Sequence, residues 1–124
     1  MNAQARSDPF VESLAVAWEQ AGPGVRRQVL GHDPALMLVS VRFEQGSVGP
    51  VHWHPHRQVS FVVAGRFEVR IGDEIRVLSA GDCFIVPPDV PHGAVALEDG
   101  ALVDVFAPAR EDFLPAPAGL PAGR

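Results

Sequence analysis

The stretch Ala-Leu-Met-Leu-Val-Ser-Val-Arg-Phe, residues 35–43, decides the fold. Met37, Val39, Val41 and Phe43 recur at every second position, with Leu36, Leu38, Ser40 and Arg42 between them. Alternate side chains of a strand point to opposite faces, so this pattern reads as a strand with at least one buried face. Short runs of the same kind follow: QVSFVVA from Gln58, RFEVRI from Arg66, EIRVLS from Glu74, CFIVP from Cys83, GAVALE from Gly93 and ALVDVF from Ala101. Turn-forming pairs separate them, among them Ala64-Gly65, Gly72-Asp73, Pro87-Pro88 and Asp99-Gly100. Many short strands without helices between them predict an all-β sandwich or barrel.

Outside that region the pattern changes. Residues 10–20, FVESLAVAWEQ, predict a short amphipathic helix with Ser7 or Asp8 as its cap and Pro9 in the first turn. Gly22-Pro23-Gly24 ends it. Residues 1–24 are thus expected to be an N-terminal helical segment, 25–113 the β-barrel domain and 114–124 a Pro/Gly-rich tail.

A chain of 124 residues is one domain by length and buries roughly two-thirds of its unfolded surface. Its ten basic residues are all Arg and face fifteen acidic ones, with no basic stripe, so nucleic acid is not an expected partner. Without Lys there is no Schiff-base or P-loop lysine, and without Tyr no phenolic acid. The one cysteine, Cys83, cannot make an internal disulfide and reads as a buried, inert thiol. No apolar run approaches the ~20 residues of a membrane span, and no secretory signal is visible, so the expected location is cytoplasmic.

Three of the five histidines fall in His52-Trp53-His54-Pro55-His56. Residues i and i+2 of a strand share a face ~6.6 Å apart, so His52 and His54 can converge on one ion, with Trp53 on the opposite face. Gln58 has the same parity but would lie ~13 Å further along a straight strand. A bend at Pro55, which cannot donate within a ladder, would bring it back. His92 is stiffened by Pro87, Pro88 and Pro91. Each histidine alone would read as a surface residue. Together they predict a centre for one divalent transition metal ion, with Ni, Fe, Mn, Co and Zn all compatible.

These residues carry a family resemblance. Gly46, His52, His54, Gln58 and Gly65 resemble the first cupin motif, which usually has Glu at the position of Gln58. Gly81, Pro87, Asp89 and His92 resemble the second, with Asp89 for the usual Gly and Ala96 for the usual Asn. The resemblance spans about residues 25–110 and implies a small single-domain jelly-roll barrel with a metal in its mouth. His54-Pro55-His56-Arg57-Gln58-Val59 and the run from Asp104 to Phe113 resemble the unsaturated pyranuronate lyases of the KdgF type. That resemblance implies His52, His54, Gln58 and His92 as metal ligands. It also implies Asp104, Phe106 and Arg110 as residues tied to activity. The implied reaction is ring opening of 4,5-unsaturated monouronates from pectin or alginate breakdown, giving linear keto sugar acids. Single-domain cupins commonly pair, which implies a homodimer. The same scaffold also supports mononuclear iron dioxygenases and non-catalytic modules that bind a small acid.

The residue types add to this. Four neutral ligands leave a divalent ion its full charge, which favours an anionic partner such as a sugar acid. Asp104 sits in an apolar strand, where a carboxylate is either held by a partner such as Arg42 or shifted upward in pKa. Phe106 reads as core or as a substrate platform, and Arg110 as a surface arginine or a fork for the substrate carboxylate. His56 reads as exposed or as a support behind the ligands.

Overall fold

The seven period-two runs become seven of the ten strands among the described residues. The computed structural model describes residues 5–115. Its strands are β1 (Glu19–Gly22), β2 (Val25–Asp33), β3 (Leu36–Phe43), β4 (Val48–His52), β5 (Arg57–Ala64), β6 (Arg66–Ile71), β7 (Glu74–Ser79), β8 (Cys83–Val86), β9 (His92–Ala96) and β10 (Gly100–Ala107). They form a six-stranded sheet, β1-β2-β3-β10-β5-β8, and a four-stranded sheet, β4-β9-β6-β7. Every pairing is antiparallel. Met37, Val39, Val41, Val62 and Leu102 of the larger sheet pack toward Phe67, Val69 and Ala96 of the smaller one. Phe43 and Phe67 meet edge to face at 5.1 Å across the gap. This is a double-sheet jelly roll, as the cupin resemblance implies.

The turns explain the motif positions. Gly65, between β5 and β6, has φ +82°, and a Cβ there would lie 2.5 Å from the Asp99 carbonyl oxygen. Only glycine fits. Asp89, which replaces the usual motif glycine, has φ 64°. Aspartate tolerates that left-handed conformation better than most residues. The Asp89 N–H donates to the His54 carbonyl at 2.8 Å, so this turn braces the histidine loop.

The N-terminal segment departs from expectation. Residues 10–20 do not form a helix: a single 3-10 turn spans Ser13–Ala15, and Glu19–Gly22 joins the large sheet as its edge. Short helices depend on a buried face, and here Phe10 and Leu14 stay exposed. The segment lies against the outer face of the sheet instead. The Gln28 amide donates to the carbonyls of Ser13 and Val16, at 2.6 and 2.8 Å. The Arg26 and Arg42 guanidinium groups sit over the Trp18 ring.

Cys83 is exposed, not buried, because it points outward from the edge strand β8. Trp53 is also largely exposed. Of the tail 114–124, residues 116–124 lie outside the described residues. Among the described residues no helix is long and apolar enough to cross a membrane.

Candidate metal centre

Both sheets contribute to one end of the barrel. His52 ends β4 and His92 begins β9, and the two are register partners. The β4 strand stops at His52, so His54 lies in the connection 53–56 and not on the same strand as His52. The chain turns there into β5 of the other sheet, which returns Gln58 to the histidines. The expected bend is therefore a crossing between sheets. Candidate ligand atoms of His52, His54 and His92 lie within 4.8 Å of one another. His54 and His92 are buried, and His52 is open to solvent.

Backbone carbonyls orient the three rings. The Nδ1 of His52 is 2.8 Å from the Pro50 oxygen, that of His92 is 2.9 Å from the Val90 oxygen, and that of His54 is 3.0 Å from the His56 oxygen. A carbonyl only accepts, so each Nδ1 carries the proton and each Nε2 keeps its lone pair. The Gln58 Oε1 lies 3.1 Å from Nε2 of His54 and 3.1 Å from Nε2 of His92. Lone pairs thus face lone pairs, an electron-rich cluster that a divalent cation completes. This donor set fits such an ion.

Protonation follows burial. Desolvation lowers the pKa of His54, reinforced by the nearby Arg110 charge. Desolvation lowers that of His92 to about 4, with His52, His54 and Arg110 adding to it. Both imidazoles are therefore neutral and free to bind metal at neutral pH.

Behind Gln58 runs a chain of side-chain hydrogen bonds. The Gln58 Nε2 donates to Ser60 Oγ at 2.9 Å, and Ser60 Oγ donates to Asp104 Oδ1 at 2.6 Å. Asp104 faces inward and does not pair with Arg42, which lies on the outer face with Trp18. Burial pushes the Asp104 carboxyl up to about 6, against the opposing effects of Ser60 and Arg110.

A cavity of about 220 Å³ opens over these groups, bordered by His52, Gln58, His92, Asp104, Phe106 and Arg110. Phe106 is buried, with its ring against His54 at 5.8 Å and Phe113 at 5.7 Å. Arg110 directs Nε and Nη2 at the Asp112 carboxylate, at 3.0 and 2.8 Å, and holds that carboxyl below its ordinary pKa. Its guanidinium lies over both Phe106 and Phe113. Arg27 also borders the cavity, stacking on Phe113 at 3.8 Å and pairing with Glu19 at 2.8 Å. His56 stands 5.4 Å from the His54 ring, with a buried Nδ1 that has no hydrogen-bond partner.

Ser60, Arg27, Asp112 and Phe113 were not singled out from the sequence. Ser60 had a signal: it shares the inward parity of Gln58 and Val62 in an otherwise apolar strand. Arg27 and Phe113 meet from distant segments, and Asp112 is marked only by its pairing with Arg110 two residues away.

The family model described as "Cupin domain" matches residues 39–106. The pectin degradation protein KdgF of Dickeya dadantii (strain 3937) is 42% identical over 99 residues, covering 78% of this chain and 90% of the relative. The chain is a KdgF-like cupin. The solved structure of KdgF from Halomonas sp. resembles this cupin with a TM-score of 0.83 and 43% identity, covering 87% of this chain and 100% of that one. An RmlC-like cupin from Shewanella frigidimarina NCIMB 400 matches at a TM-score of 0.86 and 47% identity, covering 89% and 99%.

Proposed function

We propose that this cupin opens the ring of 4,5-unsaturated monouronates to linear keto sugar acids, as a metal-dependent enzyme of pectin or alginate breakdown. One observation carries the reading: His52, Gln58 and His92 of the three-histidine, one-glutamine donor set line the same cavity as Asp104 and Arg110. The identity to a pectin degradation protein supports the substrate class.

His52, His54, Gln58 and His92 would hold the ion, which is Ni, Fe, Mn, Co or Zn. When bound, it supplies a Lewis acid with its full double charge. The Nη1 edge of Arg110, turned away from Asp112, receives the substrate carboxylate. Fixing that anion reduces the entropic barrier. Phe106 forms an apolar wall beside the ring. Asp104, with its raised pKa, delivers a proton to C4 of the C4–C5 double bond. A water oxygen bonds to C5 and gives up a proton, which restores the carboxylic acid at Asp104. The resulting hemiketal opens to the 5-keto chain.

The test is to mix the purified protein with an unsaturated monouronate under argon. The absorbance of the conjugated double bond should disappear, and a chelator should abolish the loss. A loss that requires oxygen would identify an iron dioxygenase instead. Tight binding of the acid with no chemical change would identify a binding module.

A homodimer and a cytoplasmic location belong to the same reading. The N-terminal segment covers the outer face of the large sheet at β2 and β3. Further along that face Val59, Phe61, Val63 and Ile85 remain exposed. A second copy related by a two-fold axis would cover this uncharged patch. Phe61→Glu should convert a dimer to a monomer in analytical ultracentrifugation, and a wild-type monomer would refute the pairing.

A further inference from the structure

The buried hydroxyl of Ser60 links the two working parts of the cavity. Ser60 is 0% exposed on β5, directly opposite Asp104 of β10 in the sheet register. Gln58 precedes it by one step on the same face. A serine hydroxyl has one proton and two lone pairs. At 2.6 Å that proton is committed to the Asp104 carboxylate. Toward position 58, Ser60 therefore offers only an acceptor.

We propose that Ser60 is a positioning residue that, with Asp104 behind it, fixes Gln58 as a neutral amide whose oxygen faces the His54 and His92 imidazoles. The amide meets the requirement from both ends. Its N–H donates to Ser60 at 2.9 Å, which leaves Oε1 toward His54 and His92 at 3.1 Å each. With the amide reversed, the oxygen would face the acceptor side of Ser60 and N–H groups would fill the cation site. The Glu usual at this motif position would be no better served. An ionised Glu and the Asp104 carboxyl would then compete for one serine proton in a poorly solvated interior, which is costly. The Ser60–Asp104 pair thus accounts for Gln58 standing where the motif usually has Glu. It also preserves the full charge of the ion on which an anionic substrate depends. Partners of this kind behind a ligand typically contribute 10–100-fold in metal affinity.

This inference rests on the reading of Gln58 as a ligand, and the experiment separates the two. Full-length protein is stripped with chelator and titrated with cobalt(II) near pH 8, by calorimetry and by visible absorption. Wild type, Ser60→Ala, Gln58→Ala and the double variant are compared. Ser60→Ala should weaken cobalt binding about tenfold and alter the cobalt absorption band. Gln58→Ala should weaken it at least as much, and the double variant should match Gln58→Ala alone. Wild-type affinity in Ser60→Ala, with Gln58→Ala weakened, overturns the role of Ser60 and leaves Gln58 as a ligand. Wild-type affinity in Gln58→Ala overturns both. An equal Ser60→Ala loss with and without Gln58 means packing, not orientation, and also overturns the proposal. If Ser60→Ala does not fold, Ser60→Thr and Ser60→Val compare side chains of nearly equal volume that differ in the hydroxyl. The threonine variant should bind cobalt several-fold more tightly, and equal binding would refute the role.

Discussion

The two walls of the cavity orient their donors by different means. On the histidine wall, each imidazole is held by a backbone carbonyl two residues away: Pro50 for His52, His56 for His54 and Val90 for His92. On the wall formed by the large sheet, Gln58 is held by a side chain, Ser60, which is held in turn by Asp104, 44 residues further along the chain. The first wall is built from local contacts and the second from strand register. A donor fixed by its own loop can be recognised from a short motif. A donor fixed by a neighbouring strand can be recognised only once the register is known.

Changes to the two walls should therefore fail differently. The largest effect is expected from His92→Ala. It removes a buried donor outright, so metal affinity should fall more than about 100-fold, beyond the range typical of an outer partner. Elemental analysis of desalted protein checks this, and retained metal would break the assignment of the histidine wall. Asp104→Asn belongs to the other wall; its amide oxygen can still accept from Ser60 Oγ, so it should spare the metal. Turnover should fall about 10²–10⁴-fold, the usual contribution of a positioned acid or base. A full wild-type rate would remove Asp104 from the chemistry.

Acid should sharpen the contrast. Below the ordinary histidine pKa of 6.5, the unfolded chain takes up protons at positions 54 and 92 before the folded chain does, because both folded-state values are lowered. The folded state thus loses stability as the pH falls toward about 4. Asp104 acts in the opposite direction. Its folded carboxyl, at about 6, takes a proton before its unfolded counterpart at 3.8, so folding gains stability across that window. The metal-free protein should lose Tm gently between pH 6.5 and 4, and Asp104→Asn should lose it more steeply. Parallel curves would contradict the raised Asp104 value.

The smallest effects belong to the cavity rim. Arg110→Lys keeps the charge but loses the planar fork and the stacking on Phe106 and Phe113, so KM should rise about tenfold. Asp112→Asn, which loosens the same guanidinium without removing it, should raise KM only a few-fold. Steady-state kinetics on the unsaturated uronate measures both. A larger effect at Asp112 than at Arg110 would reverse their assigned ranks.

Much of this was legible in the sequence. The apolar alternation of 35–43 and its repeats specified an all-β fold because inward parity must match the core. The His-x-His pair and the proline-framed His92 marked the three-histidine cluster because their supports are local. The expected helix over 10–20 does not form because Phe10 and Leu14 find no face to bury, whereas Glu19–Gly22 finds an edge to pair with. Cys83 is exposed, against expectation, because an edge strand has an outward face that composition alone does not reveal. Ser60 and Asp112 are not legible in the sequence because serine and aspartate are common turn and surface residues, and only their partners distinguish them here.

Gly93 follows His92 where β9 meets the irregular part of β4. A Cβ there would stand 2.9 Å from the Gly49 oxygen and 3.0 Å from the Val51 nitrogen. Any larger residue would wedge the two strands apart just where they bring the His52 and His92 rings to 4.5 Å. Inheritance of the chemistry is thus constrained at a position that contributes no reactive atom. Random mutagenesis screened for turnover should find 93 nearly as intolerant as the histidines, although no inspection of donor atoms alone would mark it.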